Sequence, residues 1–218
     1  MTLFAVVDLS SSREALCAVS YNVLSDLYCR PEDNVAPFDR RVKRITKELR
    51  NVHCDVACLQ ELAAEPFAQL LRALDASHFD GLHCPNEEGE GIGVIWRAAT
   101  WRCLHERKLC FAKLAECYPR DDTDGVSVVC RQKLRHILHH SVAQVVALQR
   151  KSDDSVLVLV NTHLYWGPGL AESHFQMQLV QMYLLLLETQ KCLDEWGRTV
   201  KSTISLVLAG DFNAPDAA

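Results

Sequence analysis

Ile204-Ser-Leu-Val-Leu-Ala209 followed by Gly210-Asp211-Phe212-Asn213 is the stretch on which the reading of this chain turns. The first six residues form an apolar, β-rich run that predicts a buried strand. In an extended segment successive side chains alternate faces, so Asp211 and Asn213 are expected to point one way and Phe212 the other, into the core. Gly210 allows another backbone to come close. A carboxylate and an amide held side by side at a strand end suit Mg²⁺, which takes one or two carboxylates plus substrate oxygens. The alternative is a Gly-Asp turn closed by Pro215.

Three further segments repeat the pattern. Ala18-Val-Ser-Tyr-Asn22-Val-Leu24 places an Asn late in a strand. Asp55-Val-Ala-Cys-Leu-Gln-Glu61-Leu62 ends a strand-like run in a carboxylate. Val156-Leu-Val-Leu-Val-Asn161-Thr-His163-Leu164 ends another in an amide and an imidazole two residues apart. Each alone reads as a strand-capping polar residue. Together they give four strands that each deliver a functional group near the C-terminal end, where α/β proteins build their sites.

Between these strands the pattern alternates with helices. Arg40 to Val52 predicts an amphipathic helix with Phe38, Val42, Ile45, Leu49 and Val52 on one stripe. Its other face carries Arg40, Arg41, Lys43, Arg44, Lys47 and Arg50, a solvated surface or a face for nucleic-acid phosphates. A second helix is expected over Pro66 to Leu74. A long third one runs from Glu172 to Trp196, with Phe175, Leu179, Met182, Tyr183, Leu186 and Leu187 inward. Pro85 to Glu90 and Glu116 to Gly125 read as polar loops. Ser141 to Gln149 and Ser155 to Thr162 read as a hairpin turned by Arg-Lys-Ser-Asp-Asp.

A chain of 218 residues is long enough for one large domain with a sizeable core. No run has the ~18 apolar residues of a membrane span, and no basic n-region or Arg-rich, acid-poor leader opens the chain. The ten cysteines are scattered without a C-x-x-C pair, several at apolar strand positions. This spacing argues for reduced thiols acting as small hydrophobes, and against both a disulfide framework and zinc. The expected location is intracellular, the cytoplasm by default and the mitochondrion as the alternative. A net charge of −5 excludes a strong sequence-independent nucleic-acid binder, though not an enzyme that grips a few nucleotides.

Ser20-Tyr-Asn22, Leu59-Gln-Glu61, Asn161-Thr-His163-Leu164 and Gly210-Asp211-Phe212-Asn213 resemble, in this order, the motif set of the endonuclease/exonuclease/phosphatase superfamily. Thr162-His163-Leu-Tyr-Trp166-Gly-Pro168, with the helix carrying Leu179-Val-Gln-Met182, is similar to the 2′,5′-phosphodiesterase members of its deadenylase branch. Gly91-Ile-Gly-Val-Ile-Trp-Arg97 resembles the strand that follows the glutamate motif. Residues 131–134 (Arg-Gln-Lys-Leu) leading into Val142 to Leu148 resemble the next one. The resemblance implies an α/β fold, a four-layer sandwich of two mixed sheets flanked by helices, over residues 17–218, with residues 1–16 as an N-terminal extension.

It also implies a Mg²⁺-dependent phosphodiesterase acting on RNA 3′ ends or oligoadenylate, with one or two ions and Mn²⁺ able to substitute, and no membrane partner. Glu61 would be a direct Mg²⁺ ligand. Asp211 would ligate a second ion or orient the attacking water, and Asn213 would bind the phosphate or that ion. Asn22 would hold the Asp211 side or the metal shell by hydrogen bonding, and His163 would donate to a phosphoryl oxygen unless a neighbouring backbone group satisfies it. Asn161 would support substrate binding. Tyr165, Trp166 and Pro168 would form a base-stacking wall, or pack in the core. Alternatives are another hydrolase of the superfamily (a nucleotide phosphatase, a DNA-repair endonuclease or an inositol-phosphate phosphatase) and a catalytically incomplete RNA- or protein-binding relative.

The sequence departs from the family pattern in one respect. Members carry a further C-terminal segment ending in an Asp-His pair, whereas this chain stops at Ala214-Pro-Asp-Ala-Ala218. His136, His139 and His140 lie outside any motif. The expectation is therefore a sandwich incomplete at that end, in a fragment, a truncated gene model or a degenerate relative, with little stability or turnover of its own.

Overall fold

The computed structural model describes residues 2–7, 16–75, 78–117, 138, 141–166 and 171–213. Among the described residues nine strands form two sheets. The first has the order β1 (Thr2–Val7), β2 (Leu16–Asn22), β3 (Val56–Gln60), β5 (Gly91–Arg97), β4 (Phe79–Pro85). The second has the order β6 (Trp101–Cys110), β7 (Val142–Arg150), β8 (Val156–His163), β9 (Ile204–Asp211). Both are mixed: β2 and β3 are parallel in one, β8 and β9 in the other, and every remaining pair is antiparallel. β1 falls within residues 1–16 and pairs with β2.

The sheets pack face to face. Leu16, Val56, Cys58, Val94 and Trp96 from the first meet Trp101, Val146, Leu148, Leu157 and Leu159 from the second. Helices α1 (Phe38–Asn51) and α2 (Ala64–Leu74) cover the outer face of the first sheet through Val42, Ile45, Leu49, Phe67 and Leu70. Helices α3 (Phe111–Cys117) and α4 (Ala171–Trp196) cover the second through Phe111, Leu184, Leu185, Cys192 and Trp196. The result is the four-layer α/β sandwich. β3 lies between layers on both sides and is buried at all five residues, which is why it reads as a continuous apolar run rather than an alternating one.

Three expectations need correction. β9 is an edge strand rather than a buried one: Leu206 is 48% and Leu208 38% exposed. Only its Val207 and Ala209 side packs between the sheets. In α4, Phe175, Leu179, Tyr183 and Leu186 are exposed, while Gln178, Gln181, Leu184, Leu185, Glu188 and Thr189 are buried. Between Leu179 and Leu187 the helix is apolar almost all round, so periodicity does not choose a face there. Polar anchoring does: Gln181 Oε1 accepts from Tyr165 N at 2.7 Å, and Gln178 Nε2 donates to Tyr165 O at 3.1 Å and Asn213 O at 2.9 Å. Glu116, expected in a loop, belongs to α3. The rest of that loop, residues 131–134 and His136, His139 and His140 lie outside the described residues.

The eight cysteines whose side chains are described are free thiols, with Cys54, Cys58, Cys84 and Cys192 buried. Burial pushes Cys58 up to about 12, and Cys84 and Cys192 up to about 11, so none is a nucleophile at neutral pH. Among the described residues no helix is long and apolar enough to cross a membrane.

Candidate active site

Each sheet contributes one parallel pair, and both pairs end at the same rim. Asn22 lies opposite Gln60 in the first and His163 opposite Asp211 in the second. The two ends are joined directly. Asn22 Nδ2 donates to Glu61 Oε1 at 2.7 Å and to Asp211 Oδ2 at 2.9 Å. One amide thus holds together carboxylates 39 and 189 residues away from it in the chain.

Glu61 follows the last residue of β3 with φ 59, a left-handed conformation that disfavours a residue with a Cβ by roughly 1–2 kcal/mol. The turn swings its carboxylate out of the strand, where Asn22 and the backbone N–H of Ser25 fix it (2.9 Å to Oε2). Gly210 serves a similar purpose on β9. A Cβ there would collide with Thr162 O, so only glycine lets the strand approach β8 this closely. Leu164 N then donates to Asp211 O at 2.9 Å and continues the pairing past His163.

Asp211 Oδ1 accepts from Asn213 N at 3.0 Å, and His163 Nε2 lies 4.0 Å from Asp211 Oδ2. Burial works against ionisation of Asp211, but the Asn22 amide, the Asn213 N–H and the His163 ring outweigh it, and the pKa falls below the ordinary 3.8. An acid lowered in the fold stabilises it above its unfolded pKa, and that contribution is lost as pH drops through the folded value. Asn22→Ala should therefore raise the Asp211 pKa toward its ordinary value, lowering the stability that Asp211 contributes at neutral pH and shrinking the part lost on acidification. Carboxyl-carbon NMR titration of both proteins measures this directly, and identical Asp211 titrations would rule out the Asn22 contribution.

Asn213 does not follow strand alternation. β9 stops at Asp211, Asn213 has φ 47, and its Nδ2 donates to Leu164 O at 2.9 Å. It braces the loop after β8 while lining the cleft. Phe212 packs against the outer core of the second sheet, as alternation predicted.

Asn161, expected to contact substrate, is fully buried. Its Nδ2 donates to Leu59 O (3.0 Å) and Gly93 O (2.9 Å), and its Oδ1 accepts from Gln60 Nε2 at 2.8 Å. It shares a face with His163, but one residue pair deeper that face is the interior between the sheets. Asn161 and Gln60 therefore interlock the sheets beneath the site. Trp166 is 75% exposed and is not a core residue. Tyr165 is half-buried, its ring edge-on to His174 at 5.6 Å, and both aromatics line the cleft. Pro168 lies outside the described residues.

The cleft has a volume of about 970 Å³ and reaches from Glu61, His163 and Asn213 to Tyr28, Glu90 and Trp166. Its charged lining is mostly acidic, with Asp33, Glu61, Glu88 and Glu90 against Arg30. Such a wall repels a phosphate group unless a cation intervenes. Among the described residues there is no closed group of three or more His, Cys, Asp or Glu for a metal. Mg²⁺ does not need one, since it keeps several waters and takes one or two carboxylates plus substrate oxygens. Glu61 and Asp211, held together by a neutral amide, fit that requirement.

Residue patterns alone gave no role to Gln60, Ser25, Tyr28, Glu90, Gln178 or Gln181. Only Gln178 and Gln181 left a usable signal, lying three apart among the apolar residues Met177 to Met182.

The chain is similar to known proteins in sequence and in fold. The chain is 28% identical over 211 residues to mouse (Mus musculus) 2′,5′-phosphodiesterase 12, covering 90% of this chain and 33% of that protein. It is 22% identical over 206 residues to the CCR4-Not complex 3′-5′-exoribonuclease subunit Ccr4 of Phaeosphaeria nodorum, covering 86% of this chain and 33% of that one. It thus spans about a third of the length of these relatives. The crystal structure of ANGEL2, a 2′,3′-cyclic phosphatase, in complex with adenosine-2′,3′-vanadate superimposes with a TM-score of 0.65 at 22% identity, over 92% of this chain and 54% of that one. The pattern that defines the endonuclease/exonuclease/phosphatase family matches residues 19–218, nearly the whole chain, and the protein belongs to that family.

Proposed function

We propose that the protein is a metal-dependent phosphodiesterase that removes nucleotides from the 3′ or 2′ end of RNA, in the manner of a deadenylase or 2′,5′-phosphodiesterase. The observation that carries this reading is the single Asn22 amide donating to both Glu61 and Asp211 at the mouth of an acidic cleft. Family membership supports phosphoric-ester hydrolysis, and the names of the relatives above support a 2′,5′-phosphodiester or an RNA 3′ end as substrate.

Glu61 and Asp211 would hold Mg²⁺, which supplies charge neutralisation at the phosphoryl group and makes water more acidic. Asp211 is ionised at neutral pH and a weak base, so its part is to hold and orient rather than to take a proton. Asn22 keeps the two carboxylates at a fixed separation. His163 stands beside Asp211 at the cleft wall and would donate to a non-bridging oxygen. Trp166 and Tyr28, both exposed along the cleft, offer ring faces to a base.

The test is hydrolysis of 2′,5′- and 3′,5′-linked oligoadenylate by the purified protein, after chelation and after Mg²⁺ or Mn²⁺ is restored. Stepwise release of mononucleotide that disappears with chelator and returns with the ion is the expected result. Turnover indifferent to chelator would overturn the metal dependence. Cleavage confined to phosphomonoesters or 2′,3′-cyclic phosphates would overturn the exonuclease reading and select another hydrolase of the family.

A further inference from the structure

Among the described residues, backbone pairing between the ends of β8 and β9 finishes where Leu164 N donates to Asp211 O. Tyr165 comes next, with no strand beside it to satisfy its own backbone groups. They go to α4 instead. Tyr165 N donates to Gln181 Oε1 at 2.7 Å, and Tyr165 O accepts from Gln178 Nε2 at 3.1 Å. The Gln178 amide has a second hydrogen, which goes to Asn213 O at 2.9 Å, past the end of β9. Both glutamines are buried and lie three apart, as neighbours on one helix face. Their partners fix the direction of each amide: two carbonyl oxygens require the –NH₂ of Gln178, and an N–H requires the oxygen of Gln181. The helix itself does not depend on these bonds for its seat, since Leu184, Leu185, Cys192 and Trp196 bury its other turns against the sheet.

We propose that Gln178 and Gln181 are positioning residues with divided roles: Gln181 sets the Tyr165–Trp166 wall of the cleft, and Gln178 ties that wall to Asn213. Trp166 is 75% exposed, so burial does not aim it, and its direction follows from the Tyr165 backbone just before it. His163 is different. It lies within β8, paired opposite Asp211, and the sheet places it without help from the helix. Asn213 is held at three points: its N–H on Asp211 Oδ1, its Nδ2 on Leu164 O and its carbonyl on Gln178. Loss of the Gln181 oxygen therefore frees the wall alone, whereas loss of the Gln178 donor frees the wall and the residue that braces Asp211. The consequence for turnover rests on the function proposed above; the consequence for the wall does not.

Gln181→Met should raise KM for oligoadenylate about tenfold, the worth of one stacked base, with kcat close to the parent's. Gln178→Met should raise KM similarly and also lower kcat by about tenfold or more, because a small displacement beside the reacting groups is costly. Trp166 reports the wall directly. The other three tryptophans, Trp96, Trp101 and Trp196, are buried, so the fluorescence that acrylamide quenches belongs to Trp166. Its anisotropy should fall in both Met variants, measured well below their thermal transitions. Gln178→Glu and Gln181→Glu make one chemical change with opposite expected results, and serve if the Met variants do not fold. At position 181 an oxygen still accepts from Tyr165 N, and the anisotropy should stay near the parent's. At position 178 a carboxylate faces two carbonyl oxygens, and the anisotropy should fall. Parent-like anisotropy in every folded variant, or equal changes of KM and kcat at the two positions, would overturn the proposal. If the parent cleaves no oligonucleotide, the phosphodiesterase reading falls, while the contrast between the two Glu variants still upholds the clasp and its absence overturns it.

Discussion

Glu61→Gln and Asp211→Asn should each lower phosphodiester turnover by a factor of about 10²–10³, the usual loss when one group stabilising transition-state charge is removed. Both replacements keep the shape of the side chain but leave one oxygen where two accept, from Asn22 and from Ser25 N or Asn213 N, so the fold should persist with a modestly lower thermal transition. The charge is what changes. With either carboxylate neutralised, the pair that would hold a divalent ion is halved, and the remaining acidic wall of Asp33, Glu88 and Glu90 still repels the phosphate. Asn22→Ala should be milder in charge yet still damaging, because the carboxylates then lose the donor that fixes their separation. Steady-state rates at saturating substrate check this. Either carboxylate variant retaining more than about a tenth of the parent rate would contradict the assignment.

Asn161→Ala should act on stability instead. The side chain has no exposed surface and satisfies three partners across the sheet interface: Leu59 O, Gly93 O and Gln60 Nε2. Deleting it removes three buried hydrogen bonds and leaves a small void, although Leu59 and Gly93 still face each other in the β3–β5 ladder. With about 1 kcal/mol for each buried hydrogen bond lost, a loss of about 3 kcal/mol is expected. In a domain of this size that corresponds to a fall in Tm of roughly 6–12 °C. Asn161→Asp should be worse, since it places a buried charge against two carbonyl oxygens. Thermal denaturation of the two variants measures both effects. A shift under about 2 °C for Asn161→Ala would mean the sheets are not tied there, and a change confined to KM would return Asn161 to the substrate side.

These two residue sets show what a linear sequence reveals of such a site and what it hides. Asn22, Glu61, His163 and Asp211 were legible because each closes an apolar strand run, and a polar group at a strand's C-terminal end is conspicuous. Asn161 lies in the same kind of segment, and alternation correctly put it on the face of His163. Alternation does not say at what depth that face passes from the cleft to the space between the sheets. The stripe on α4 failed for another reason: Phe175, Leu179 and Tyr183 look like a core face until Gln178 and Gln181 are seen bonding to the loop at Tyr165. β6 carries Arg102, Glu106 and Lys108 among its apolar residues, and the register shift between Cys103 and His105 blurs the period of two that would have marked it. Glu90 and Tyr28 sit in loops, whose side-chain directions no periodicity encodes.

Mn²⁺ binding is the most direct test of the central claim, that Glu61 and Asp211 together form a divalent-cation site. It requires no knowledge of the substrate. Electron paramagnetic resonance of Mn²⁺ titrated into the parent, Glu61→Gln and Asp211→Asn reports bound ion separately from turnover. The parent should hold Mn²⁺ in competition with Mg²⁺, and each variant should lose that binding while remaining folded. Equal Mn²⁺ affinity in all three proteins would contradict the account.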